Sequence, residues 1–224
     1  MSIAETQTYN IIVAKYAENL DWINFMDKSK IIIYNKSTEY LENAFSRPNI
    51  GRDPETFLHH IITYYDNLPA YIILVQGDPF PHMYVKNPEL FQEQIDMLLG
   101  SNINDVKPLF TGIHLECHNT FPSIKTKEYY SLFFEGDIPN QTTFAAGCQY
   151  IIPKESILCR PLKFYIKILK MIHNSPITDV TNSCYGEHLF DSNSIDPWCV
   201  ERLLMFMFSK DITISDKFLL DSVL

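Results

Sequence analysis

Three short runs of β-branched and aromatic residues constrain this chain more than anything else in it: Tyr9–Lys15 (YNIIVAK), Lys30–Tyr34 (KIIIY) and Tyr71–Val75 (YIILV). Each is too short for a helix with one apolar stripe and too uniformly apolar for a strand with one wet face, so each reads as a strand buried on both sides. Between and after them lie segments of helical pattern. Asn19–Asp27 reads as a helix with Leu20, Ile23 and Phe25 on one side. Pro54–Tyr65 is the clearest, with Asp53 as a cap, Pro54 in the first turn and Phe57, Ile61, Ile62 and Tyr65 on one face. Pro88–Leu99 is the third, closed by Gly100. Thr38–Phe45 reads as either a short helix or irregular chain. Strands alternating with helices predict an α/β fold, a single domain over 1–224 with a central, mostly parallel sheet flanked by helices. In such sheets ligands sit beyond the carboxyl ends of the strands.

The second half is less regular. Asn102–Tyr130 reads as loop with short strands, Gly112–Cys117 among them. Gln149–Ile152 reads as a strand, Pro161–His173 and Pro197–Phe208 as helices, and Ser175–Asp191 as a loop. No repeat, low-complexity tract or linker divides the chain.

Composition narrows the partners. The formal net charge is −9, which speaks against a general nucleic-acid binder, because phosphate contacts need clustered Lys and Arg. An anionic ligand would have to be held locally. Five cysteines with no CxxC spacing point to free thiols in a reducing setting rather than to a structural zinc site. No apolar run reaches the roughly 18 residues of a membrane span. The opening residues lack the plan of a signal peptide, so a cytoplasmic location is expected.

Candidate chemistry collects where the three early strands end: Ala14, Lys15 and Tyr16; Tyr34, Asn35 and Lys36; Gln76, Gly77 and Asp78. In a parallel sheet these share one rim, with aromatic faces for a base, amides and lysines for ribose and phosphate, and a carboxylate for a hard divalent ion. Arg52 and Asp53 open the best helix, where Gly51 permits a sharp turn and the helix end favours anions. Adjacent His59 and His60 point about 100° apart on a helix and read as surface or core imidazoles. His82, four residues after Asp78, and His188 are candidate ligands. Glu201 and Arg202 start an otherwise apolar helix, as a solvated face or as a buried functional pair. Glycine-rich nucleotide loops and a GxSxG elbow are absent.

Taken in order, longer stretches carry a resemblance: Val13–Tyr16, Trp22, Tyr34–Lys36, Pro48–Asp53 (PNIGRD), Tyr65–Pro69 (YDNLP), Gln76–Phe80 (QGDPF), Ala146–Tyr150 (AGCQY), Pro153–Ile157, Arg160-Pro161 and Trp198–Leu203 (WCVERL). Across residues 9–208 the chain resembles a poorly characterised group of glycosyltransferase-like proteins, often filed as a domain of unknown function. It also resembles the small glycosyltransferase domains that large algal (chlorella) DNA viruses encode to decorate their capsid protein. The resemblance implies a type-A glycosyltransferase fold, with a nucleotide-binding half near 9–100 and an acceptor half near 101–224. It implies a nucleotide-diphosphate sugar donor, with UDP favoured, a glycan or glycoprotein acceptor, and Mn²⁺ or Mg²⁺. Gln76-Gly77-Asp78 stands where the family carries Asp-x-Asp, so Asp78 keeps the ligating carboxylate and Gln76 is the departure. The carry-over gives Ala14, Lys15, Tyr16, Tyr34, Asn35, Lys36, Arg52 and Asp53 to the nucleotide. Gln76, Gly77, Gly147, Cys148 and Gln149 go to the sugar or acceptor, Asp78, His82 and His188 to the ion, and Asp78 and Glu201 to catalysis. Two other readings stay open: a non-catalytic nucleotide-sugar-binding module, and a metal-dependent hydrolase or nucleotidyltransferase.

Overall fold

The computed structural model describes residues 8–84, 86–109, 113–117, 125–175 and 190–220, with only the backbone of 113–117. The strands are β1 (Tyr9–Lys15), β2 (Ile31–Asn35), β3 (Ala44–Ser46), β4 (Tyr71–Gln76), β5 (Lys107–Pro108), β6 (Ile113–Cys117), β7 (Gln141–Ala145) and β8 (Tyr150–Pro153). The helices are α1 (Arg52–Thr63), α2 (Pro88–Gly100), α3 (Thr126–Phe133), α4 (Lys154–Leu158), α5 (Leu162–His173), α6 (Pro197–Phe208) and α7 (Asp216–Leu220). Six strands form one sheet in the order β3-β2-β1-β4-β8-β5. The first four are parallel, as the α/β pattern predicts, whereas β8 runs antiparallel to both β4 and β5. β6 and β7 make a separate antiparallel ribbon.

The uniform apolarity of the early strands has a direct cause in this architecture. Successive residues of a strand point to opposite faces, and here both faces are covered. Ile12, Ala14, Ile72, Leu74, Tyr150 and Ile152 pack with Phe57, Leu58 and Ile61 of α1 and with α3, α5 and α6. Tyr9, Ile11, Val13, Tyr71, Ile73, Val75 and Ile151 pack with Phe91, Ile95 and Leu99 of α2 and with Trp22. Each such large side chain contributes about 1.5–3 kcal/mol when fully buried.

Several expected elements take another form. Asn19–Asp27 holds only a 3-10 turn, Asp21–Phe25, preceded by Asn19, whose Oδ1 accepts the Asp21 N–H at 2.7 Å. Thr38–Phe45 is irregular chain, as one of its two readings had it, until its end enters the edge strand β3. α3 begins inside the stretch read as loop; its Tyr129, Tyr130 and Phe133 are buried in the core, a tertiary contact that short-range pattern does not announce. Among the described residues no helix is long and apolar enough to cross a membrane.

Candidate functional site

The register of the parallel strands sets Lys15 beside Asn35 and Ala14 beside Gln76, so the strand ends do share a rim. The rim divides in two. Beyond the end of β4 lies a cavity of about 480 Å³, lined by residues of α1, β4, α6 and the turn Ala146–Cys148, with His82 and Phe144. That volume is in the range of small-molecule sites. Both halves of the chain build it: Arg52, Asp53 and Gln76 come from the first, and Gly147, Cys148, Trp198, Glu201 and Arg202 from the second.

Its walls begin with strained backbone. Gly51 and Arg52 have φ of 64° and 50°, and Gly147 and Cys148 have 70° and 56°. Left-handed backbone is costly for Arg and Cys, and such residues persist only where neighbours over-determine them. Lys36 supplies that constraint at the first turn: its Nζ donates to the carbonyls of Ile50 and Arg52 on either side of Gly51. The turn delivers Asp53 to the cavity. Asp53 does not cap α1, whose N-cap is Gly51. Instead its Oδ2 accepts a hydrogen bond from Gln76 Nε2 at 2.8 Å. At the second turn, the Gly147 N–H donates to Glu201 Oε1 at 2.8 Å.

The charges are two of each sign. Desolvation pushes the Asp53 carboxyl up to about 6, against the pull of the Gln76 hydrogen bond and of Lys36. Desolvation likewise pushes Glu201 up to about 7; Arg202 and the Gly147 hydrogen bond draw it back in part, and the Asp53 charge adds to the rise. The guanidiniums are held on aromatic faces. Arg52 sits 4.3 Å from the centre of the Trp198 ring, and Arg202 lies 4.8 Å from the Phe144 ring and 6.0 Å from Trp198. Arg202 Nη1 also donates to the Trp198 carbonyl at 2.9 Å. Trp198 Nε1 is a buried donor with no partner among the described residues. Burial raises the Cys148 thiol well above its ordinary range, which keeps it a neutral thiol and a poor nucleophile.

The structure thus gathers Arg52, Asp53, Gln76, His82, Gly147, Cys148 and Glu201 from the expected site residues around one cavity. It places the others elsewhere. Ala14 and Tyr34 point into the core, and the Tyr34 hydroxyl pairs with His60 Nδ1 at 2.9 Å. Lys15 Nζ donates to the Tyr16 carbonyl, and Tyr16 is exposed. Asn35 folds its amide onto Glu39 and Ser37, and Lys36 is buried against Glu55 at 3.1 Å, engaged in structure rather than presented to a ligand. Gln149 is buried, with Nε2 donating to the Pro79 carbonyl. Gly77 is buried, its carbonyl accepting from Trp22 Nε1 at 2.7 Å, and a Cβ there would meet Glu18 Oε2 at 2.5 Å. Asp78 is exposed, off the cavity wall, and its Oδ1 accepts the Phe80 N–H at 3.2 Å. His188 lies outside the described residues. Those residues hold no group of three or more His, Cys, Asp or Glu that could hold a metal ion.

Trp198 and Phe144 are the wall residues whose roles the sequence left unassigned. A charged pair on an apolar helix flags Glu201 and Arg202, but nothing in the local pattern marks the rings that carry the guanidiniums.

Residues 11–118 match a family model described as "Protein of unknown function (DUF3431)", a little under half of the 224-residue chain. The matched stretch contains Arg52, Asp53 and Gln76 and stops before Gly147, Trp198 and Glu201. No curated protein matches the chain, and no solved structure does.

Proposed function

We propose that this cavity transfers a sugar from a nucleotide-diphosphate donor, UDP-linked by the resemblance, to a hydroxyl of a glycan or glycoprotein acceptor. The observation that carries the reading is the pairing of two carboxyls, Asp53 and Glu201, with two ring-backed guanidiniums, Arg52 and Arg202, on one cavity beyond the carboxyl end of β4. The diphosphate and the sugar of such a donor each have a counterpart there. The diphosphate is an anion with planar oxygen pairs, which suit fixed guanidiniums. The sugar is a polyol, which suits carboxylates and the Trp198 N–H.

In this reading a new C–O bond forms between the acceptor oxygen and the anomeric carbon. The bond from that carbon to the diphosphate oxygen breaks, and its electron pair leaves on the diphosphate. Arg52 and Arg202 stabilise the charge growing on that leaving group. Glu201 takes the acceptor hydroxyl proton, and its raised proton affinity makes it a better base near neutral pH than an ordinary carboxylate. Asp53 orients sugar hydroxyls. No step is assigned to an ion at Asp78.

The test is a panel of nucleotide sugars with mixed oligosaccharide acceptors, assayed for released nucleoside diphosphate with and without acceptor. The intact protein should release it in an acceptor-dependent way, and Glu201→Gln should lower turnover by about 10²–10⁴-fold while still binding donor. Release that ignores the acceptor would make the protein a hydrolase, and binding without release would make it a binding module. Either outcome overturns transfer.

A further inference from the structure

Two of the cavity's cations meet at one ring. Trp198 is the second residue of α6, and its backbone N–H donates to Asp196 Oδ1 at 2.7 Å, the cap that starts the helix. Arg202 follows one turn later, where residues i and i+4 share a face. Its Nη1 donates to the Trp198 carbonyl at 2.9 Å, and its guanidinium lies 4.8 Å from the Phe144 ring and 6.0 Å from the Trp198 ring, the outer limit of such a contact. Arg52 comes from the first half of the chain, at the start of α1, and sits 4.3 Å from the Trp198 ring centre. The chain has two tryptophans, and they differ at the indole nitrogen. Trp22 Nε1 donates to the Gly77 carbonyl at 2.7 Å in the core. Trp198 Nε1 is buried with no partner among the described residues, on a side chain that lines the cavity. A buried donor left unpaired is costly, so this one calls for an acceptor oxygen that the described residues do not supply.

We propose that Trp198 is a positioning residue: its ring fixes Arg52 against Arg202, so that the two guanidiniums act as one clamp on an anion with several oxygens, and its indole N–H is a third donor to that anion. Charge alone does not make this cavity an anion site, because Asp53 and Glu201 face the same space. Those carboxyls have donors of their own: Gln76 Nε2 to Asp53 Oδ2, and the Gly147 N–H to Glu201 Oε1. Glu201 Oε2 stands 3.8 Å from Arg202 Nη1, beyond hydrogen-bond length. The advantage left to an anion is orientation. A guanidinium carries five N–H donors in a planar fork that matches paired phosphate oxygens. Stacked on an indole, it has little freedom left to lose when a ligand binds. The negative face of the ring also offsets the repulsion between the two cations. Both lie within 6.0 Å of one ring centre, close enough for the joined phosphates of one diphosphate to meet both. That the anion is the diphosphate of a sugar donor rests on the sugar-transfer reading; the clamp itself does not.

The test uses the whole protein and inorganic pyrophosphate, with affinity read by calorimetry. Side-chain order is read by ¹⁵N relaxation of the arginine Nε–H signals, which Arg52→Lys and Arg202→Lys assign. The parent should bind pyrophosphate and show an ordered Arg52 signal before any ligand is added. Trp198→Leu should set the Arg52 signal in motion, leave that of Arg202 held by Phe144, and weaken pyrophosphate by about tenfold or more. Trp198→Phe keeps a ring and removes the indole N–H, so Arg52 should stay ordered while affinity falls by a smaller factor. Arg52→Lys keeps the charge and should still weaken binding; combined with Trp198→Leu, the loss should fall short of the product of the two, because both break one contact. Backbone amide spectra verify the fold. Should the leucine variant fail to fold, the Trp198→Phe and Arg52→Lys affinities carry the test. A parent that does not bind pyrophosphate, an Arg52 signal equally ordered in a folded leucine variant, or affinities that ignore these substitutions overturn the proposal. Pyrophosphate bound without sugar transfer keeps the clamp and sinks the transfer reading; transfer with a donor affinity indifferent to Trp198→Leu does the reverse.

Discussion

Asp53 and Glu55 stand two residues apart in the first turns of one helix, and their carboxyls are driven in opposite directions. Burial works to raise both. At Glu55, Lys36 and the Arg47 hydrogen bond together outweigh it, and the carboxyl lies below its ordinary range. Glu55 is fully buried between Lys36 at 3.1 Å, Arg47 and His173 at 3.3 Å. At Asp53 the Gln76 hydrogen bond and the charges of Lys36 and Arg52 do not offset burial, and the carboxyl stays near 6. The lesson is that burial alone does not say what a carboxyl is for. A carboxylate surrounded by cations holds two segments together, here the Arg47–Arg52 loop and α1 with α5. One left under-compensated at a cavity wall is poised to exchange a proton.

The largest test of that contrast is Glu55→Gln. It leaves Lys36 buried, and Arg47 half-buried, without their anion, and breaking a buried pair from one side typically costs about 3–5 kcal/mol. Chemical denaturation should show a loss of that size; a loss near that of an ordinary surface substitution would show that the hub holds nothing together.

A smaller effect of opposite sign is expected at Asp53. Its folded-state proton affinity is raised, so the stability it contributes is complete below its unfolded value near 3.8 and is lost as pH rises through about 6. Asp53→Asn should therefore be more stable than the parent at pH 8, on the order of 2 kcal/mol, with no advantage at pH 3.5. Melting temperatures across that range check it, and a destabilised variant at pH 8 would make Asp53 structural, like Glu55. For Glu55 the sign reverses: its contribution is present at neutral pH and is lost as pH falls below the ordinary glutamate range.

A third effect, on the acid side, separates both carboxyls from the rest of the helix. His60 is buried, and desolvation lowers its imidazole to about 4. Its contribution is present above the ordinary histidine value near 6.5 and is lost as pH falls toward 4. His60→Phe should flatten the decline in melting temperature between pH 6.5 and 4, even though it gives up the bond to Tyr34. An unchanged slope would return the acid-side loss to the carboxylates alone.

Legibility in the sequence followed the same division. Strand runs such as YIILV were readable because a strand covered on both faces needs apolar residues at every position, a requirement that acts locally. The direction of β8 was not readable, since Tyr150–Pro153 is as apolar as a parallel strand and only its pairing with β4 makes it antiparallel. Asp53 was visible as an acidic residue opening a helix, but its partner Gln76 is twenty-three positions away and no spacing rule connects them. Lys36 and Asp78 show the converse. Each has the residue type a phosphate or an ion would want, yet one is buried against Glu55 and the other is exposed away from the cavity wall.

By itself, then, the sequence determined the three early strands and helices such as Pro54–Tyr65 and Pro88–Leu99, and with them the α/β class, because capping and apolar runs are short-range properties. Only the tertiary structure decided which polar residues at the carboxyl edge of the sheet form the cavity and which bind the fold together. A carboxyl's proton affinity depends on the cations and donors within a few ångströms of it, and those arrive from distant parts of the chain: Lys36 to Glu55, Gln76 to Asp53, and Gly147 to Glu201.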